Sequence, residues 1–360
     1  MAHFTRRTFV AAVGAAALAN RVAAAPFVPA RDPQVVAFAP GGTMVATGCS
    51  GLSDATFPPR PHPDVRKCGI IAVWDVASRK RLFRWETFGD FTKLAFSPDG
   101  KLLACSRLFA TDDGISLDEV RLWDVTSGRV AKVLDRCHAF DFSPDSRQLA
   151  VLSRSKCIVY DPKDWAKEGQ VKPLGEGVSV AFAAGGLSLV GIVRDEEKYR
   201  LRSVLVESGE TAAQSLPLDE PYYSVSVAAD ASLLATGHEG GNVVLWDSQT
   251  LDMKSRLQTG VRGLAHPFFA SDAKVLAAGC QETGDVVLWN LTDRQEIARY
   301  TFEKGGLRTY YNRPANALLR PERDPTRFCF SPDGESFLAG CYGGILRATS
   351  GGQELGRFGE

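Results

Sequence analysis

The chain has 360 residues, with 42 Lys and Arg against 42 Asp and Glu, so its formal net charge at neutral pH is zero. A protein that binds nucleic acid normally has a marked excess of basic residues, and this balance argues against a nucleic-acid partner. The sequence also contains no phosphate-binding glycine loop, no HExxH motif, no paired CxxC motif and no nucleophile elbow. The common signatures of enzymes and metal sites are therefore missing.

The N-terminal segment has the composition of an export signal. Residues 1–25 read MAHFTRRTFVAAVGAAALANRVAAA, in which Arg6 and Arg7 precede an uncharged, alanine-rich stretch. This order resembles a twin-arginine signal and implies export to the periplasm or cell envelope. An alanine-rich extension on a cytoplasmic protein is the alternative. Cleavage after Ala24 would remove three arginines and leave 39 basic and 42 acidic residues, a net charge of −3. The apolar stretch is too short to predict a membrane span.

A short phrase recurs seven times along the rest of the chain. Each copy has an apolar pair, a turn of the Ser-Pro-Asp-Gly type, and then a small apolar run. The copies are VVAFAPGG (35–42), KLAFSPDG (93–100), AFDFSPDS (139–146), SVAFAAGG (179–186), SVSVAADA (224–231), AHPFFASDA (265–273) and RFCFSPDG (327–334). Pro and Asp favour such a turn, and Gly adopts the positive φ that a hairpin with a bulge requires. A unit repeated in this way must bury its apolar face against its neighbours.

A second pattern follows most of these turns. It is an apolar run that ends in an aromatic residue and an acid or amide: AVWDV (72–76), RLWDV (121–125), IVYDP (158–162), VLWDS (244–248) and VLWNL (287–291). One more strand follows each run, so every unit contains four short strands, a to d. The chain thus resembles the WD40 repeat family. The resemblance implies an all-β, seven-bladed β-propeller of four-stranded antiparallel blades, forming a single domain over residues 26–360.

One feature of that family is displaced in this sequence. The Gly-His pair expected before strand a is absent, and Gly237 and His238 lie at the end of a b strand instead. Cys49, Cys280 and Cys341 occupy the equivalent position in other repeats. Equivalent positions of adjacent blades should be on the order of 10 Å apart, whereas thiolate sulfur binds zinc at about 2.3 Å, so no metal site and no cofactor is predicted.

The spacing of the phrases locates the long connections. The last turn residues are separated by 58, 46, 40, 45, 42 and 61 positions, against about 40 to 45 for a blade of this family. The extra residues fall in the b to c connections 49–69 and 105–119 and in the d to a connection 303–326. Strand direction alternates within a blade, so all three connections lie on one face, in neighbouring blades. Long loops on a rigid scaffold commonly carry binding.

The composition of these loops favours contact with a protein or peptide. Tyr and Arg anchor many interfaces, and the candidate contact residues are Arg60, Arg66, Arg308, Tyr310, Tyr311, Arg313 and Arg327. The sequence therefore predicts a monomeric, non-enzymatic interaction scaffold. Two alternatives remain open: a cytosolic regulatory WD40 protein, and a propeller enzyme or small-ligand binder at the channel mouth. The d to a loops would supply that mouth with Phe91, Arg136, His138, Tyr222, Tyr223 and Arg262.

Two cysteines flank the first long connection. Cys49 ends strand b of the first repeat and Cys68 precedes its strand c. Adjacent antiparallel strands place such positions within the Cα separation of roughly 4.4 to 6.8 Å that a disulfide needs. The sequence predicts that Cys49 and Cys68 form a disulfide if the protein is exported.

Overall fold

The computed structural model describes most of the chain after residue 34. The described residues are 35–50, 68–88, 90–110, 116–153, 156–165, 170–172, 174, 177–195, 198–217, 222–238, 240–260, 263, 265–280, 285–300, 328–339, 345–348 and 353–358. The predicted export signal, with Arg6 and Arg7, lies outside them.

The described strands form four-stranded antiparallel sheets, and the four strands of each sheet follow one another in the chain. Sheet 1 contains β1 (Val35–Phe38), β2 (Met44–Ser50), β3 (Cys68–Asp75) and β4 (Arg81–Phe88). Sheet 2 contains β5 (Asp90–Phe96), β6 (Leu102–Ala110), β7 (Ser116–Asp124) and β8 (Val130–Asp135). Sheet 3 contains β9 (Cys137–Phe142), β10 (Leu149–Ser153), β11 (Cys157–Tyr160) and β12 (Gln170–Lys172).

The second half of the chain repeats this arrangement. Sheet 4 contains β13 (Gly177–Ala183), β14 (Ser188–Asp195), β15 (Lys198–Leu205) and β16 (Thr211–Gln214). Sheet 5 contains β17 (Tyr222–Val227), β18 (Leu233–His238), β19 (Asn242–Asp247) and β20 (Met253–Gln258). Sheet 6 contains β21 (Ala265–Phe269), β22 (Val275–Cys280), β23 (Val286–Asn290) and β24 (Gln295–Tyr300). Sheet 7 contains β25 (Phe328–Phe330), β26 (Ser336–Ala339), β27 (Ile345–Ala348) and β28 (Glu354–Arg357).

The turn at the end of each phrase has the backbone conformation that its sequence predicts. The last turn residue has a positive φ in every copy: Gly42, Gly100, Ser146, Gly186, Ala231, Ala273 and Gly334. In the Ser-Pro-Asp copies the serine also closes the turn. The hydroxyl of Ser97 donates to Asp99 and accepts the backbone N–H of Leu102. Ser143 makes the same two bonds in the third copy, which therefore keeps its turn although it has no glycine.

The acid that follows the tryptophan stabilises the next turn. Oδ1 of Asp75 accepts the backbone N–H of Ser78 at 2.7 Å, and Oδ1 of Asp247 accepts those of Gln249 and Thr250 at 3.0 Å. Such local bonds are the reason that Asp is favoured in turns. In the Trp-Asp pair the tryptophan packs in the core, and the aspartate next to it accepts hydrogen bonds from the backbone of the following turn.

The cores lie between sheets. One buried cluster joins Val35 and Ile71 of sheet 1 to Phe91 and Trp123 of sheet 2. Similar clusters join each later pair of consecutive sheets. A further cluster, which includes Trp74 of sheet 1 and Leu338 and Phe358 at sheet 7, joins the last sheet to the first. The strands are thus arranged as a β-propeller with four-stranded antiparallel blades.

The first strand of each sheet lies on the inside of this arrangement. Contacts between neighbouring sheets run mainly through first strands, including β1 with β5, β9 with β13 and β21 with β25. The fourth strands, among them β4, β8 and β28, form the outer edges. Within the described residues no helix is long and apolar enough to cross a membrane.

Candidate interaction face

The three long connections leave the propeller from the same face. In an antiparallel sheet, the b to c and d to a connections lie at the same end. The chain leaves this end at Ser50, Ala110 and Tyr300 and returns at Cys68, Ser116 and Phe328. Sheets 7, 1 and 2 are neighbours, because β1 contacts both β25 and β5. The ends of the three connections therefore lie in one sector, which we call the loop sector.

The structure shortens two of the predicted loops. The connection predicted at 105–119 is largely an extension of the β6–β7 hairpin, in which Arg107 pairs with Glu119 and Ala110 with Ser116. Only residues 111–115 of this connection lie outside the described part. In sheet 1 the strands continue to Ser50 and resume at Cys68. The predicted contact residues lie outside the described residues: Arg60, Arg66, Arg308, Tyr310, Tyr311, Arg313 and Arg327.

A buried ion pair supports the base of the β6–β7 hairpin. Arg107 and Glu119 are 2% and 4% exposed. The guanidinium of Arg107 donates to both carboxylate oxygens of Glu119 at 2.9 Å, and its Nη1 donates to Thr87 Oγ1 of sheet 1 at 2.8 Å. Arg121 donates to the same carboxylate at 2.8 Å. This paired geometry satisfies the buried charges and ties the hairpin to the neighbouring sheet.

Aromatic contacts join sheet 6 to sheet 7 and sheet 1 to sheet 2. The ring of Tyr300, where the 301–327 connection begins, lies 5.1 Å from that of Phe337 in sheet 7. The ring of Trp85 stacks on Trp123 at 5.2 Å, and its Nε1 donates to the backbone oxygen of Gly128 at 2.7 Å. The 301–327 connection therefore starts from a strand that is packed against sheet 7, whereas the Trp85 contact lies at the β7–β8 turn, on the opposite face.

Three of the residues predicted at the channel mouth are buried strand residues rather than loop residues. Phe91, His138 and Tyr222 lie in β5, β9 and β17 and are 2%, 6% and 0% exposed. Phe91 covers Gly69, where an added Cβ would lie 2.6 Å from its ring. The strands begin earlier than the sequence suggested, because a bulky apolar residue at this point can pack against the preceding sheet.

The other two side chains have similar internal contacts. His138 Nε2 lies 3.2 Å from the Gly177 oxygen, so this nitrogen is the donor. The ring of Tyr222 packs edge-on against His238 at 4.5 Å. Arg136 is exposed in the turn between β8 and β9 and has a φ of 58°. Tyr223 belongs to β17, but its side chain is outside the described part, as is Arg262.

The inner strands carry a polar chain that the sequence did not reveal. Lys93 Nζ donates to the Phe140 oxygen at 2.8 Å and lies 3.3 Å from Asp141 Oδ1. The second carboxylate oxygen of Asp141 accepts the backbone N–H of Phe182 at 2.9 Å. These bonds connect sheets 2, 3 and 4. Lys93 and Asp141 are 48 positions apart in the chain, so only the placement of neighbouring sheets brings them together.

The displaced histidine joins a hydrogen-bonded network in sheet 5. Trp246 Nε1 donates to Thr236 Oγ1 at 2.8 Å, and the same hydroxyl lies 3.1 Å from His238 Nε2. In sheet 1, Trp74 Nε1 donates to Thr47 Oγ1 at 3.0 Å. Both threonines lie in strand b, two residues beyond the residue that pairs with the tryptophan of strand c. In both sheets the hydroxyl at this position therefore accepts the indole N–H. The sequence placed His238 at the end of strand b, and the structure shows that it is a core residue.

Cys137 and Cys157 are buried in sheet 3. Among the described residues there is no group of three or more His, Cys, Asp or Glu side chains that could hold a metal ion. Burial raises the pKa of Cys137 to about 11 and that of Cys157 to about 12. These thiols are therefore protonated at neutral pH, and a protonated thiol is a poor nucleophile. Cys49 lies opposite Ile70 in the β2–β3 pair, and Ile70 is two residues after Cys68. The side chain of Cys68 is outside the described part.

Comparison with known proteins supports the fold. No protein-family model and no curated protein matches the chain. By contrast, 1556 chains of solved structures are similar to it. One is the β-propeller domain of Cps50 (Swd1) from Myceliophteria thermophila, with a TM-score of 0.59 and 13% identity, over 76% of this chain and 87% of that one. The fold is that of a WD40-like β-propeller. At this identity the likeness concerns the propeller alone, because one fold serves many functions.

Proposed function

We propose that the chain is a non-enzymatic interaction scaffold that binds a protein or peptide through the loop sector. The observation that carries the proposal is that the connections 51–67, 111–115 and 301–327 begin and end at one face, in the neighbouring sheets 6, 7, 1 and 2. The Arg107–Glu119 pair supports it, because a rigid base lowers the ordering cost of binding. The proposed contact residues are Arg60, Arg66, Arg308, Tyr310, Tyr311, Arg313 and Arg327.

We further propose that the sheets form one closed, seven-bladed ring within a single domain. The support is the cluster that joins Val36 and Trp74 to Phe358. Arg79 Nη2 also donates to the Leu355 oxygen at 2.7 Å across the same seam. Both contacts use side chains, so closure does not require the N-terminal segment to complete the last sheet.

Burial at the channel mouth favours a scaffold over an enzyme. Phe91, His138 and Tyr222 have their bulk inside the sheets, where a substrate would have to displace packed residues. An acid-base site would require several titratable groups that converge on an accessible position. Of the six residues proposed for the mouth, Arg136 is the one whose side chain is described as exposed.

We propose that the protein is exported, because of the sequence around Arg6 and Arg7. Fractionation of cells that express the full chain tests this, with a variant in which both arginines are replaced by lysine. Export predicts a shortened protein in the envelope fraction and retention of the variant in the cytoplasm. A full-length protein that stays in the cytosol would favour the cytosolic regulatory alternative and leave the interaction proposal intact.

Affinity capture tests the interaction surface. The mature protein is compared with a variant in which Tyr310, Tyr311 and Arg313 are changed to Ala. A matched control carries three alanines on the opposite face, at Lys101, Arg147 and Lys274, which are exposed turn residues. We expect a partner that the mature protein and the control recover equally and the loop variant loses. Equal recovery of every partner by all three proteins would exclude the proposed contact surface.

A further inference from the structure

Basic side chains are concentrated at one place on the outer edge, away from the loop sector. Arg79 and Lys80 lie in the turn between β3 and β4, and Arg81 and Arg84 lie in β4. Arg129 lies in the turn between β7 and β8. All five residues are exposed. We call this set the basic rim.

Hydrogen bonds and close packing make the basic rim continuous across three sheets. Arg79 donates to the Leu355 oxygen of β28 at 2.7 Å, which joins sheet 1 to sheet 7. On the other side, an added Cβ on Gly128 would lie 2.9 Å from the ring of Phe83, and Trp85 donates to the Gly128 oxygen. The β3–β4 turn therefore reaches β28, and β4 reaches the β7–β8 turn, where Arg129 follows directly after the contact at Gly128.

Exposed aliphatic side chains lie among these basic residues. Leu82, Val130 and Leu355 are 47%, 49% and 37% exposed. Each belongs to one of the three outer strands of the basic rim. An exposed Leu or Val is ordinary by itself, but a mixture of cations and aliphatic groups is typical of surfaces that lie on a lipid interface.

The basic rim is a local excess and not a general property of this face. Asp75, Glu86 and Asp124 are the described acids beside it, and Glu86 pairs with Arg84. The five basic residues therefore exceed the acids by two. The same turn and fourth strand carry no basic excess in the next three sheets. The described charged residues are Asp161, Lys163, Asp164 and Lys172 in sheet 3, Glu207 and Glu210 in sheet 4, and Asp247, Asp252, Lys254 and Arg256 in sheet 5.

We infer that the basic rim docks the propeller on a membrane surface that contains anionic phospholipid. The fourth strands form the outer edge of the propeller, and an edge with exposed cations and aliphatic groups can rest on an anionic bilayer. The cations would meet phosphate headgroups while Leu82, Val130 and Leu355 enter the interface. The contact is peripheral and separate from the loop sector, which remains available to a protein partner.

Flotation with lipid vesicles tests this inference. The mature protein is mixed with vesicles of phosphatidylglycerol and phosphatidylcholine in equal parts, or of phosphatidylcholine alone, at low and at high salt. The variant carries Lys80→Glu, Arg81→Glu and Arg129→Glu, which leave the Arg79 contact in place. The control carries Lys101→Glu, Lys163→Glu and Arg294→Glu, three exposed turn residues away from the basic rim. Thermal unfolding of each protein confirms that it is folded.

We expect flotation with the anionic vesicles alone, reduced by high salt. Each basic residue near such a surface contributes about fivefold to binding, so the rim variant should bind at least about 100-fold more weakly while the control binds like the mature protein. Absence of flotation, or equal loss in the control, would overturn the inference. Retention of the mature protein on a poly-glutamate column, without flotation, would assign the basic rim to an acidic protein instead.

Discussion

Gly237 of β18 lies directly against the backbone of Ala265 in β21. A Cβ built on Gly237 would be 1.7 Å from the Ala265 oxygen and 2.7 Å from its carbonyl carbon. Sheets 5 and 6 therefore approach closely at this point. A side chain larger than hydrogen at residue 237 would have to separate the two sheets.

We therefore expect Gly237→Ala to lower the free energy of unfolding by about 3 kcal/mol, at the upper end of the usual cost of overpacking, because backbone atoms cannot move aside as a side chain can. Gly279 is a matched control, since it holds the same register position in β22 and an added Cβ there would meet no atom within 4 Å. Urea unfolding measures both. Equal effects of Gly237→Ala and Gly279→Ala would show that the close approach is not the cause.

Two phrase turns end in alanine and not in glycine. Ala231 and Ala273 have φ values of 54° and 55°. The left-handed conformation costs an L-residue roughly 1 to 2 kcal/mol, and glycine loses about 0.5 to 1 kcal/mol more backbone entropy on folding. Because the first cost exceeds the second, replacing both alanines by glycine should raise the free energy of unfolding by about 1 kcal/mol.

Ala212 is the control for this prediction. It is exposed in β16 and is not among the residues with positive φ. Ala212→Gly should destabilise by about 0.5 to 1 kcal/mol, because only the entropy cost remains. Chemical denaturation of the variants gives the comparison. A loss of stability in the double turn variant would mean that other contacts hold these alanines in place at little cost.

These turns show which features of the fold can be predicted from the sequence. The recurring phrase predicted a positive φ from its glycines, and the structure extends that conformation to Ser146, Ala231 and Ala273. The four-stranded sheets and the propeller fold followed from the same repeat. Local patterns succeed here because a turn and its strands depend on residues that are close in the chain.

The parts that the sequence missed depend on neighbouring sheets. Arg107 and Glu119 look like ordinary charged residues beside a loop, and only the approach of Thr87 from sheet 1 completes their buried site. Lys93 and Asp141 meet for the same reason. The channel-mouth hypothesis had a similar weakness, because Phe91 fills a seam that no single repeat contains.

The predicted Cys49–Cys68 disulfide depends on a small shift in the strands. The register places Cys49 opposite Ile70, so Cys68 is a diagonal neighbour. Diagonal positions are about 7 to 8 Å apart, slightly beyond the usual Cα range for a disulfide. Closure of this end of the β2–β3 hairpin would bring the two sulfur atoms together.

In exported protein we expect mass spectrometry without reductant to find the two cysteine peptides linked, and in protein from the reducing cytoplasm to find them separate. The bond would close a short loop and add about 3 kcal/mol to stability. Cys49→Ser is the control and should lose that increment. Alkylation of both cysteines in exported protein, without prior reduction, would exclude the disulfide.

Acid should weaken the propeller through its turn carboxylates. Backbone N–H groups of Thr250 and Gln249, with Lys254, lower the pKa of Asp247 from 3.8 to about 2. Because the folded state has the lower pKa, its stabilisation is complete above the unfolded value of about 4 and is lost as the pH falls towards 2. The pKa values of Asp75 and Asp124 are lowered by similar bonds from Ser78 and Ser127.

Sheet 6 supplies the comparison for this titration. Asn290 occupies the position of Asp247, and its Oδ1 accepts the backbone N–H of Thr292 at 2.8 Å. Asp247→Asn should therefore keep the turn but flatten the fall in stability between about pH 4 and pH 2, and Asn290→Asp should steepen it. Urea unfolding over this pH range measures the slope. If the free energy of unfolding fell equally with pH in the unchanged protein and in both variants, the turn carboxylate of Asp247 would not be the cause of the acid sensitivity.

Replacing one partner of the Arg107–Glu119 pair should lower the free energy of unfolding strongly, whereas replacing both partners should lower it much less. Glu119→Gln leaves Arg107 charged and buried, and breaking such a pair costs about 3 to 5 kcal/mol. Replacing both residues, with Arg107→Met and Glu119→Leu, removes the charges together and should restore much of the loss, although Arg121 must then turn to solvent. Urea unfolding of the single and double variants measures the coupling.

The exposed pair Arg84–Glu86 is the control for this cycle. Its partners are adjacent on the surface of β4, and Glu86→Gln should cost less than about 1 kcal/mol because water replaces the lost contact. A double variant at residues 107 and 119 that is no more stable than Glu119→Gln would mean that the Thr87 bond and the packing of the arginine matter more than charge balance. In that case the pair would hold the hairpin by its shape, and the loop sector should lose partner binding in both variants.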